Sequence, residues 1–125
     1  MINMNKPKIL CYNIGAKLPT LTRVAKGLGV TAVEVAPESY ALPLFSVVSG
    51  IKAEPNLLVS GSLPEGMLVF VSFPDALLDV FLAALRENGL RIPLKAVLTQ
   101  HNAVWDAHTL YNELCREREE FSRKA

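Results

Sequence analysis

The chain has few cysteines, no excess of either charge and no long apolar run, and each shortage narrows the reading. Two cysteines, Cys11 and Cys115, in 125 residues do not make a disulfide framework. Thirteen basic residues against twelve acidic ones, a formal net charge of +1, leave out the basic footprint by which nucleic acid is held. The same balance gives no attraction to an anionic membrane surface. The longest strongly apolar stretches are Met67–Phe73 and Leu77–Leu85, and the second contains Asp79. Both fall short of the roughly 20 residues that span a bilayer. No stretch has the charged-then-apolar form of a secretory leader. The expectation is a cytoplasmic protein with reduced thiols, and with neither nucleic acid nor membrane as partner.

What is present is a globular composition. Half the residues are hydrophobic and a fifth are charged, enough for one α/β domain with a real core. Lys8–Ile14 (KILCYNI) reads as a first strand, and Lys17–Leu28, with Gly29 after it, as a capped helix. Thr31–Ala36 reads as a second strand, at an edge because Glu34 interrupts it. Ala41–Ser49 suits a short helix ending at Gly50, and Ile51–Gly66 a long surface loop. Met67–Phe73 is apolar at nearly every position, the mark of a strand covered on both faces. Ser72 and Asp75 stand at capping-box spacing ahead of a helix presenting Leu77, Leu78, Phe81, Leu82 and Leu85. Leu94–Thr99 is a fourth strand, an edge because of Lys95. Asp106 suits the N-cap of a last helix, with Trp105 and Leu110 placed as a hydrophobic staple. The expected architecture is a four-stranded, mostly parallel, Rossmann-like sheet of order 2-1-3-4 with helices on both faces.

In such a sheet, ligands lie beyond the carboxyl ends of the strands, where strand order reverses. The residues expected there are Asn13, Gly15, Ser72, Thr99, Gln100, His101 and Asn102, with Trp105 anchoring the final helix beside them. Each also has a plainer reading. Cys11 is placed inside a strand and is followed by no phosphate-cradling loop, so it reads as a buried structural thiol. Ser72 and Asp75 suit a cap, Asn102 a local turn bond, and Trp105 a packing anchor. His101 and His108 have no acid or thiol at metal-ligand spacing, so no metal is expected. Neither GxGxxG after the first strand nor GxxxxGK[ST] occurs, which removes the usual nucleotide fingerprints, and no cofactor is expected. The strand ends hold Asn13 and Ser72 where a phospho-accepting receiver domain would need an acid cluster.

The run EGMLVFVSFPDALLDVFLAALRENG from Glu65, then IPLKAVLT, Asn102, Trp105 and LYNEL at Leu110–Leu114 resembles a small bacterial family described as domain of unknown function 3783. KILCYNIG and the segment around Pro43–Gly50 look like the N-terminal part of the same proteins. The resemblance implies one domain in an intracellular bacterial setting and carries no activity, substrate or cofactor. The function expected on these grounds is a non-enzymatic interaction or small-ligand-binding domain, with self-association or the apolar loop residues Asn56–Val59 as ways to meet a partner. The alternative is an enzyme or phosphocarrier using Cys11, His101 or both at the carboxyl-end rim.

Overall fold

The computed structural model describes residues 6–51 and 63–124. The expected loose N-terminus (apart from Lys6) and most of the expected long loop, including Asn56–Val59, lie outside the described residues. Eight elements follow in order: β1 (Lys8–Tyr12), α1 (Leu18–Gly27), β2 (Thr31–Val35), α2 (Leu44–Val48), β3 (Met67–Val71), α3 (Asp75–Glu87), β4 (Leu94–Val97) and α4 (Ala107–Lys124).

The strands form one four-stranded sheet of order β2-β1-β3-β4, as the interior charges predict. Every residue of β3 is buried, and β1 is buried from Ile9 onward. The outer strands carry the exposed Glu34 and Lys95. Strand β1 pairs parallel with β2, and β3 pairs parallel with β4. The central pair is different: β1 and β3 run antiparallel, from Lys8 opposite Val71 to Tyr12 opposite Met67. The sheet is therefore mostly parallel, as expected, but mixed: two parallel ladders are joined back to back by one antiparallel pair.

The handedness of crossovers gives the physical reason. Helices α1 and α3 both pack on one face, around Ile9, Cys11, Leu68 and Phe70, with Leu21, Ala25, Phe81 and Leu85. A right-handed β-α-β crossover with its helix toward the viewer steps to the right of an upward strand. Two such units on one face can grow outward from a shared centre only if their strands run in opposite directions. The opposite face is covered by α2 and α4, which supply Leu44, Val47, Val48, Ala107 and Leu110 to a second core with Leu10, Tyr12, Met67 and Val69. The helices thus lie on both faces, but sorted by their role in the chain.

Local chemistry sets most boundaries. Gly29 and Gly89 follow α1 and α3 with φ 74° and 67°, the left-handed conformation of a glycine C-cap. Asp106 caps α4: its Oδ1 accepts from the Thr109 backbone N–H at 2.8 Å. Trp105 and Leu110 both pack on the same core, as a staple requires. One expectation fails. Ser72 is not the N-cap of α3: Pro74 holds that position and Asp75 is the first helical residue. Ser72 instead turns the chain at φ 59° immediately after β3.

Candidate functional site

The antiparallel centre decides where the expected rim residues go. The carboxyl ends of β1 and β2 lie at one end of the sheet, and those of β3 and β4 at the other. Asn13 and Gly15 therefore sit at one rim, while Ser72, Thr99, Gln100, His101 and Asn102 sit at the opposite one. The expected single rim is two separate places.

At the first rim, Asn13 adopts φ 56° directly after β1, and its Nδ2 donates to the Leu63 carbonyl at 2.6 Å. Gly66 passes close by: a Cβ there would lie 3.2 Å from the Asn13 carbonyl oxygen and 3.3 Å from the Ile14 side chain. Gly15 follows at φ 54° and opens a short 3-10 turn that leads into α1. Beside it is a hollow of about 370 Å³ bordered by Asn13, Gly15, Glu34, Glu38 and Tyr40, with Cys11 at its floor. Its charged lining is two carboxylates and no cation, so its electrostatics suit a positive group. It offers no nucleophile. Cys11 is 1 % exposed, and burial, followed in size by its backbone hydrogen bond with Val33 (which acts the other way) and by the charge of Glu34, sets its thiol at about 12. Almost none of it is thiolate near neutral pH.

At the second rim the polar residues are occupied with one another. The Thr99 N–H donates to Asn102 Oδ1 at 2.9 Å, and the Asn102 N–H to Thr99 Oγ1 at 3.1 Å. Asn102 Nδ2 donates to the Val97 carbonyl at 3.0 Å. Asn102 is buried, and this reciprocal turn satisfies it. His101 is exposed, and its ring lies edge-on to Trp105 with centroids 5.1 Å apart. Trp105 is half-buried against the α2–α4 core. Its carbonyl accepts from Leu44 N–H at 2.9 Å, and the Ala103 carbonyl from Phe45 N–H at 3.0 Å. Gln100 is exposed on the turn. This rim joins α2 to the start of α4.

A third place was not singled out by motif. Two hollows of about 400 and 180 Å³ lie between α3 and the edge strand β4 and share Leu82 and Lys95. Their lining is apolar at Leu78, Leu82, Leu90 and Val97, and its charged residues are Arg86, Arg91 and Lys95, with no carboxylate. The ladder explains why this side is open. Leu98 N–H donates to the Phe70 carbonyl at 2.9 Å, so alternate residues of β4 bond to β3 and the amides of Lys95 and Val97 face outward. Among the described residues no strand pairs with that edge. The available sequence signal was Lys95 inside a strand. It marked the edge but not the groove, because Leu82 reads as core until β4 is seen to leave it half-covered.

Among the described residues, no group of three His, Cys, Asp or Glu could hold a metal ion, and no helix is long and apolar enough to cross a membrane. No curated protein and no solved structure matches the chain. The family model described as Domain of unknown function (DUF3783) matches residues 66–121, the stretch that runs from β3 into α4.

Proposed function

We infer that this is a binding domain that acts through its open surface rather than by chemistry on a substrate. The observation that carries the reading is the antiparallel β1–β3 pair. It separates Asn13 and Gly15 from Ser72, Thr99, His101 and Asn102, so the polar residues at the strand ends do not assemble into one reacting centre. Two of the candidate residues have structural tasks: Cys11 is enclosed, and Asn102 ties the turn that ends β4. The hollows described lie at the β1–β2 rim and along α3 and β4, and each is open to solvent.

The test is a thermal-shift screen of metabolites and peptides, since any ligand that binds only the folded chain raises its melting temperature. Each hit is then incubated with the protein and recovered. The expected result is a stabilising ligand returned chemically unchanged. Turnover of a hit, abolished by alkylating Cys11 or replacing His101, would overturn the reading in favour of the enzyme or phosphocarrier alternative.

A further inference from the structure

We propose that the outer edge of β4 and the α3–β4 groove dock an extended, acidic segment of a partner protein as an added strand. This rests on the reading of the domain as a binding module and names what one of its surfaces would take.

Three features converge on that occupant. First, the outward amides of Lys95 and Val97 offer main-chain pairing to any polypeptide laid along the edge, and such pairing requires no particular sequence. Second, alternate residues of an added strand would fall on the α3 side of the sheet, where Leu78, Leu82 and Val97 offer apolar surface. Third, the charged residues of the groove are Arg86, Arg91 and Lys95. All three side chains are largely in water, placed to steer and select carboxylates rather than to hold them buried. Asn102 sets one end of the track, because its Nδ2 already occupies the Val97 carbonyl. The four residues of β4 then call for an occupant of similar length at its core.

A second copy of the chain is a poorer occupant. Pairing β4 with β4 about a twofold axis would bring Lys95, Arg86 and Arg91 of one copy toward the same cations of the other, and like charges across a strand pair are destabilising.

The experiment uses the full chain, isotopically labelled, and follows its backbone amides by NMR. The probes are a short peptide alternating glutamate with valine, the same peptide with lysine for glutamate, and the glutamate peptide with alternate amides N-methylated to block strand pairing. The glutamate peptide is expected to shift the Lys95 and Val97 amides in a saturable way. The lysine and N-methylated peptides should bind at least ~10-fold more weakly, since one has lost charge complementarity and the other the main-chain pairing. The double variant Lys95→Glu, Arg91→Glu should reverse the charge preference. Both positions are exposed, and an unchanged amide spectrum elsewhere would show that the variant folds. Equal binding of both charges, or shifts confined to the β1–β2 rim, would overturn the proposal. So would concentration-dependent assembly in which a second copy's β2, bearing Glu34, covers β4 and Glu34→Lys disperses it. If the glutamate peptide fails while the thermal screen returns an unchanged ligand bound elsewhere, the docking site is wrong and the binding reading stands. Turnover of a ligand would remove the binding reading itself.

Discussion

Tyr12 sits at the end of β1 with its ring wholly enclosed, 5.5 Å from the ring of Tyr40. Its hydroxyl has no hydrogen-bond partner among the described residues. An unpaired buried hydroxyl costs more than its removal. Tyr12→Phe is therefore expected to leave the fold intact and to raise stability by up to ~1 kcal/mol, read from denaturant midpoints at constant slope. A clear loss would mean that the hydroxyl has a partner in solution. Cys11 makes the second prediction at this scale. Its thiol is pushed up to about 12 from 9.0 by burial, so the folded chain should react with a thiol reagent at Cys11 roughly a thousandfold more slowly than an unfolded one at the same pH. The sign of the linked stability follows. The folded value lies above the unfolded one, so the contribution is complete below pH 9 and declines as pH rises toward 12. Tyr12 is shifted in the same direction, first by its burial. Urea melts of Cys11→Ala across the alkaline range should show a shallower decline than the parent. Asn102 is the third case. It reads as a turn residue, and the structure gives it three hydrogen bonds in a buried setting. Asn102→Ala should cost ~1–3 kcal/mol, because it removes the hydrogen bonds by which a buried amide ties the Thr99 N–H to the Val97 carbonyl.

At the scale of elements, α3 shows how a periodicity can be right about a helix and wrong about one of its faces. Phe81 and Leu85 are buried, and Phe81 meets Phe70 and Phe73 edge-on at 5.9 and 5.5 Å. Leu82, on the same stripe by spacing, is only half-buried because it borders the groove toward β4. Phe81→Ala should cost ~3–5 kcal/mol. Leu82→Ala should cost ~1 kcal/mol, in keeping with partial burial. Equal losses would mean that the groove is closed in solution. The edge and central strands were legible because a charge inside a strand, Glu34 or Lys95, has to reach water, while MLVFV has no position that needs it. The caps were legible at Gly29, Gly89 and Asp106, where the residue type and the required conformation coincide. The direction of β3 against β1 was not. Strands covered on both faces lose the two-residue alternation that would tell one face from the other: Ile9 and Cys11 are as apolar as Leu10 and Tyr12. Nothing local therefore shows which face α1 takes, and without that the crossover rule allows either sheet. The same gap made one site out of two rims. Ser72 missed the N-cap for a different reason, since Pro74 takes that position and Ser72 turns the chain before it.

The whole molecule is organised around a centre that its halves share. The register of β1 on β3 is symmetric about Leu10 and Val69, so the residue after each strand occupies an equivalent place. Those residues, Asn13 and Ser72, are the non-glycine positions with positive φ among the described residues. Each half is a β-α-β unit, and the two α-helices of the crossovers share one core. The other core is closed by α2 and α4, which are joined through Leu44 to Trp105, Phe45 to Ala103, and Ala107 to Tyr40. A sheet buried between two helix layers and open at its outer edges should show that gradient in hydrogen exchange. Amides of Leu10, Cys11, Val69 and Phe70 lie in the central strands under both layers. They are expected to exchange only when the whole domain unfolds, with protection equal to the global stability. The outward amides of Lys95 and Val97 need no unfolding to meet water and should exchange fastest among the strand residues. The last turns of α4, exposed from Arg116 to Arg123, should open by local fraying. The segment Lys95–Leu98 is the informative one, because Ala96 in β4 and Leu98 just past its end bond inward, while Lys95 and Val97 face outward. Alternating protection along those four residues would establish an uncovered edge in solution. Uniform protection at the level of Phe70 would mean that something already covers β4, and its dependence on protein concentration would tell a second copy from another part of the same chain.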